Sequence, residues 1–363
     1  MKNLLLGAMA LLATTTMFGQ NNTSTINQVG VGNFANLVVK GSNNIADISQ
    51  NGNDNEADIE QCGDGNFGKI EQEGDGNESY LTQTGNENFS CVVQVGDENW
   101  SDVDQTGNGN FNDGYQFGNE NKSDVDQLGN DNQSEFDQQG NENRSRLLQV
   151  GDENEGYVSQ TGNKNKSKIK QKGDRNLSSI DQNGKNNKNK SVQIGDDNEN
   201  IVAQAGKRNR VDVRQKGNDN ESDINQIGKD NESFLFQKGN DNDNYSFQFG
   251  DRNYNDITQV GNDNLSVATQ IGDDHKNLTL QRGNENKSYV TQRGNPQCAI
   301  TFQLGHNNTS IIDQRGASLT ATTIQTGDNN FGFIIQTGAA TFSDVLIQTG
   351  SGNFGYIDNV IYP

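Results

Sequence analysis

The sequence predicts an all-β chain: a two-sheet β-solenoid, or cross-β stack, of 11-residue strand–turn units with 22 residues per rung. Three observations predict it. Glycine falls at 30, 41, 52, 63 and every eleventh residue to 338, 29 times without a miss. Gln stands two residues before 28 of those 29 glycines, from Gln28 to Gln336, with Val39 the single break. Small and β-branched residues keep fixed offsets from the same Gln, the self-similarity that marks a repeat architecture.

Composition alone points elsewhere. Of 363 residues 29% are hydrophobic, and the net charge is −21, a combination typical of disordered chains. Disorder does not require a fixed register, and this register holds for more than three hundred residues.

The chain divides in order as follows. Residues 1–19 read as a signal peptide: Lys2 gives the positive start, and Leu4 to Ala13 is an apolar run of ten residues, too short to span a bilayer. Cleavage after Gly19 predicts a mature chain that is soluble, acidic and outside the cytoplasm. Residues 20–25 form a short N-terminal segment, and residues 26–338 are the repeat solenoid. Residues 339–363 hold a terminal repeat one residue out of phase, with Gln348, Gly350 and Asn353.

Within the unit, the residue four before Gln is small, as in Ser79, Ser90, Ser101, Ser123, Ser134 and Ser145. The residue two before Gln is β-branched or Leu, as in Ile48, Ile59, Ile70, Leu81, Val92 and Val103. Asn stands three after Gly from Asn33 to Asn264, and the series then loosens, with His275, Gln297, Leu319 and Thr341 in its place. An 11-residue period also suits a right-handed coiled coil. That reading fails because each unit carries a Gly, costing ~1 kcal/mol in a helix, beside turn-favouring Asn and Ser.

Alternation instead puts Ser, Val/Ile and Gln on one inward strand face. Asp102 and Asp104, Lys168 and Lys170, and Phe234 and Phe236 then point outward. Gly releases the backbone into a turn. The next residue is Asn or Asp in 21 of 29 copies, types that tolerate the left-handed turn conformation. The inward Asn closes the turn through its amide. Two units make one rung, so 30 units give about 15 rungs and a stack of ~70 Å at ~4.8 Å per rung. Identical amides then form ladders. The expected ladder residues are Gln83, Gly85, Asn88, Gln94, Gly96, Asn99, Gln105, Gly107, Asn110, Gln127, Gly129 and Asn132.

The segment Ser79-x3-Gln83-x-Gly85-x2-Asn88-x-Ser90-x3-Gln94 resembles the curlin repeat of bacterial curli fibre subunits, with Ser where that family has Ala. The resemblance runs from about residue 23 to 358. It implies an extracellular structural subunit that self-assembles into curli-like amyloid fibres, serving biofilm matrix and surface adhesion. A nucleating subunit and an outer-membrane secretion pore are the partners it implies. Two features depart from the family: the number of repeats is larger, and the segment before the first repeat is short. The competing function is a monomeric secreted β-solenoid adhesin, which would need capped ends.

No enzyme is expected, and no cofactor, metal, nucleic acid or small-molecule substrate. His275 and His306 lie in turns, and the many Ser residues are repeat positions. Three cysteines have no zinc spacing. Cys62 and Cys91 are assigned to opposite sheets and so cannot bridge. An acidic chain binds nucleic acid poorly. Acidic turns such as Asp97-Glu98 and Asp152-Glu153 read as solvated turns, though stacked Asp102, Asp104, Asp124 and Asp126 could meet a divalent cation. Outward positions turn apolar towards the end. Ile300 and Phe302 are expected to stack beneath Ile324, and Ile311 beneath Phe333 and Ile335, as a contact patch.

Overall fold

A computed structural model describes residues 12–338 and 341–360. Most of the expected signal peptide, residues 1–11, lies outside the described residues, as do residues 339–340 and 361–363 of the terminal repeat. The chain comprises two compact units, residues 1–165 and 166–363. Among the described residues every regular element is a β-strand.

In the first unit, strands alternate between two parallel sheets, one from Leu12–Phe18 to Arg144–Val150 and the other from Thr23–Val29 to Glu155–Asn163. The second unit repeats the arrangement, from Lys166–Lys172 to Ser343–Thr349 and from Leu177–Lys185 to Phe354–Val360. Within each unit, each strand pairs with the strand one rung away. Trp100–Thr106 lies between Glu78–Thr84 and Lys122–Leu128, with Gln83, Gln105 and Gln127 in one column. This is the expected β-solenoid of 22 residues per rung.

The strands follow the predicted alternation. Ser101, Val103 and Gln105 are buried, while the residues between them are half-buried or exposed. Most strands contribute one large apolar side chain to the core, such as Ile59, Ile70, Leu81 or Val92. Volume is conserved between rungs: Phe136 takes a position usually held by Val or Ile, and Gly114, its partner one rung below, leaves room for the ring. The rest of the inner face is polar, so buried amides must find partners or cost ~1–3 kcal/mol each.

The turn differs from expectation in one respect. The left-handed residue is the second after Gly, not the first: Glu87 and Glu98 both have φ of 56°. The first residue after Gly, usually Asn or Asp, works through its side chain. Asn86 Oδ1 accepts the Asp64 N–H at 2.9 Å, and Asn108 Oδ1 accepts the Asn86 N–H at 2.9 Å. Gly itself is required twice over. Gly107 has φ of 125°, and a Cβ there would overlap the Gly129 carbonyl one rung on.

The strand Leu12–Phe18 pairs in parallel with Phe34–Lys40, and Thr23–Val29 begins inside the segment expected to precede the repeats. The one-residue phase shift falls between Gly338 and Ser343. Ser343 pairs with Thr320, and Gln325 Nε2 donates to Gln348 Oε1 at 2.8 Å, so the last repeat rejoins the columns.

Candidate functional site

The chemistry of this chain lies in its side-chain columns and in the strands at its ends. Gln83 Nε2 donates to Gln105 Oε1 at 2.8 Å, Gln105 to Gln127 at 2.8 Å, and Gln94 to Gln116 at 2.8 Å. The same amides reach across the core. Gln83 Nε2 donates to the Phe67 carbonyl at 3.0 Å and Gln105 Nε2 to that of Phe89 at 3.0 Å. Each Gln therefore joins two rungs and also staples one sheet to the other.

The Asn column runs along the turns. Asn88 Nδ2 donates to the Gly107 carbonyl at 2.9 Å and to Asn66 Oδ1 at 3.1 Å. Asn88 Oδ1 in turn accepts the Asn110 N–H at 3.1 Å. Asn99, Asn110 and Asn132 donate likewise to the carbonyls of Gly118, Gly129 and Gly151, at 2.7, 2.8 and 2.8 Å. Gly85, Gly96, Gly107 and Gly129 all hold positive φ at these turns. The Gln side-chain amide donates to the Gln of the C-terminal rung, whereas the Asn amide donates both ways, to the Asn of the N-terminal rung and to the Gly carbonyl of the C-terminal one.

The columns are interrupted at few places. Val39 stands below Gln61, whose Oε1 is left without a partner, and Gln28 Oε1 likewise has none among the described residues. At the other end Asp344 points inward. Gln336 Nε2 donates to its carboxylate at 2.7 Å and Asn359 Nδ2 at 2.6 Å. The sequence does carry a signal for Asp344: it stands four residues before Gln348, where the repeat has a small residue.

The six apolar residues of the expected patch fall on two different sheets. Phe302 is 43% exposed and pairs with Ile324, which in turn pairs with Ile347. Ile300 pairs directly with Thr322 rather than lying beneath Ile324. On the other sheet Ile311 pairs with Phe333, whose ring lies 5.5 Å from that of Tyr356, and Ile335 pairs with Asp313. Leu278 and Leu280, missed in the sequence, extend the first group below Ile300 and Phe302.

Charge is stacked as well. Asp102 pairs with Asp124 and Asp104 with Asp126. Burial, then the neighbouring carboxylates of Asp104, Asp124 and Asp126, push the Asp102 carboxyl up to about 6. Arg146 relieves part of the repulsion, 3.1 Å from Asp124 and 3.8 Å from Asp126. Along the turns of the second unit, Arg175 pairs two-pronged with Asp197, and Arg252 with Asp274. Among the described residues no group of His, Cys, Asp and Glu is arranged to hold a metal ion.

His275 is buried in the Asn column. Its N–H donates to Asn253 Oδ1 at 3.1 Å, and burial holds its imidazole below the usual histidine range. His306 is exposed. Cys62, Cys91 and Cys298 are free thiols, with Cys62 and Cys91 on opposite sheets.

The curlin associated repeat family matches the chain at residues 52–85, 140–173 and 217–243. No curated protein matches it. The matched stretches carry the same Gln, Gly and Asn columns as the strands around them, so the chain carries curlin associated repeats at these three places.

Proposed function

We propose that this chain is an exported structural subunit that self-assembles into curli-like extracellular fibres, contributing to biofilm matrix and surface adhesion. One observation carries the reading. The column bonds of each rung repeat those of the next, so a stack of rungs has no intrinsic end. Its terminal strands present backbone groups ready to template another strand, and the side-chain amides lie in line with them. Nothing in such a stack calls for catalysis. Export through an outer-membrane pore and growth from a nucleating subunit complete the proposal. Ile300, Phe302 and Ile324 on one sheet, and Ile311, Phe333 and Ile335 on the other, are the proposed contacts with a surface or partner.

The test is incubation of the purified chain beginning at Gln20, followed by thioflavin T fluorescence, electron microscopy and fibre diffraction. Fibres with a meridional reflection near ~4.8 Å are expected. A second reading, the solitary adhesin, draws on Asp344, because an inward charge at an edge strand opposes further pairing. A monodisperse monomer that never seeds fibres would establish that reading and overturn the first.

A further inference from the structure

Taking the fibre reading as its basis, we infer the joint between successive copies. The strand Thr23–Val29 of one copy seats on Ser343–Thr349 of the copy before it, and Phe34–Lys40 seats on Phe354–Val360. The joint forms only after the strand Leu12–Phe18 has been removed.

The alternation of sheets fixes which strands meet. Phe354–Val360 is the last described strand of its sheet, so the next strand in the stack must lie on the other, over Ser343–Thr349. In a chain beginning after Gly19 that strand is Thr23–Val29. The register then puts Gln28 over Gln348, Ser24 over Asp344 and Ile26 over Leu346. On the second sheet it puts Leu37 over Ile357 and Val39 over Asn359.

Groups incomplete within one chain become complete in this register. Gln325 Nε2 donates to the carbonyls of Thr309 and Asn330 and to Gln348 Oε1. Gln348 Nε2 makes the corresponding bonds to the carbonyls of Phe331 and Asn353, at 2.9 and 3.1 Å, and stands at the end of its column. Gln28 Oε1 is the acceptor without a partner at the opposite edge. Joining them continues the column across the boundary between copies. Asp344 already gathers amide donors from Gln336 and Asn359, and Ser24 brings a hydroxyl to the same carboxylate. Asn359, itself in a Gln position, has its amide committed to Asp344, and the residue that meets it, Val39, is the single break in the Gln series of the 29 regular units. Phe354 is 75% exposed and stacks on Phe331 at 5.5 Å, and Phe34 adds the next ring to that column.

The strand Leu12–Phe18 blocks this arrangement. It occupies the free edge of Phe34–Lys40. Placed over Ser343–Thr349 itself, it would set Met17 over Gln348 and Ala13 over Asp344, neither of which offers a polar side chain to those groups. Removing the leader would therefore switch the edge from closed to complementary.

The test compares self-seeded elongation of the chain beginning at Gln20 with that of Ser24→Asp, Asp344→Ser and the double variant. Ser24→Asp places a carboxylate against Asp344 and is expected to slow elongation at least tenfold, and Asp344→Ser in the same chain restores it. Parent-like growth of Ser24→Asp, or a defect that Asp344→Ser fails to restore, overturns the joint while leaving the fibre reading intact. A parent chain that forms no fibres overturns both. As an independent measure, Asn27→Cys and Ile347→Cys are introduced into a chain whose three native cysteines are Ser. They would stand side by side on adjacent strands ~4.8 Å apart, within disulfide reach. Oxidised fibres should give a ladder of covalent multimers, and fibres that yield only monomer on a non-reducing gel refute the register.

Discussion

Replacing Asp102 with Asn should stabilise the first unit at neutral pH and leave it unchanged in acid. Asp102 is half-buried on the strand Trp100–Thr106, with Asp104 beside it and Asp124 and Asp126 on the next rung. Its carboxyl is pushed from 3.8 up to about 6. A carboxyl that binds its proton more tightly when folded than when unfolded favours the native state only while protonated. Stability therefore falls as pH rises from about 4 to 6, and the full penalty persists above. Two pKa units correspond to ~3 kcal/mol at 1.36 kcal/mol per unit. The group is half exposed, so solvent and salt screen much of this, leaving ~1–1.5 kcal/mol. Asn keeps the shape and removes the charge. Trp100, the single tryptophan, begins the same strand and reports unfolding by its fluorescence in urea titrations of soluble chain. At pH 7.5 and low salt the variant should exceed the parent by ~1 kcal/mol, and at pH 4 the two should coincide. An equal gain at both pH values, or none at pH 7.5, would refute the electrostatic account.

Three further predictions follow from the same geometry. His275 titrates below the usual histidine range because it is buried, so stability around it is lost as pH falls through the range where the unfolded imidazole charges. Amide protection factors in the strand Lys276–Arg282, corrected for the intrinsic pH dependence of exchange, should fall at pH 5 relative to pH 7.5, and His275→Asn should abolish the difference. Gly107→Ala forces a Cβ onto the Gly129 carbonyl at φ of 125° and should cost ~3 kcal/mol; chemical denaturation at parent-like midpoint would contradict the turn geometry. Replacing Phe302, Ile324, Phe333 and Ile335 with Thr keeps strand propensity while removing the outer apolar groups. Surface attachment of fibres should drop several-fold, and unchanged attachment would remove these residues as contacts.

Much of the architecture is legible in the sequence because the Gln, Gly and Asn positions repeat every eleven residues. That spacing forces sheet assignment, facing and register together. The jobs of individual side chains are less legible, because they depend on what lies one rung away. Asn86 looks like a residue suited to a left-handed turn, yet Glu87 takes that conformation, and the Asn86 carboxamide oxygen receives the N–H of Asp64. The reach of Gln83 to the Phe67 carbonyl crosses between the sheets, and nothing in linear spacing announces it. The outer apolar residues near the C-terminal end were visible as a change in composition and as two separate stacks, but pairing sets Ile300 beside Thr322 and Ile335 beside Asp313. Asp344 can be located by counting four residues back from the shifted Gln348, but its bonds to Gln336 and Asn359 come from the facing sheet and are not legible in linear spacing.

The uniformity of these columns also poses an indexing problem. A strand displaced by one whole rung meets Gln with Gln and Asn with Asn, so the ladders cannot by themselves distinguish a correct alignment from a slipped one. Sequence irregularities supply the missing address. Val39, His275, Gln297 and Leu319 each break a column at one place, and a slipped alignment would set such a residue against the wrong amide and leave a buried group without its partner. Read this way, the exceptions to the repeat are punctuation: a perfectly regular version of the chain would lose its means of detecting where it is.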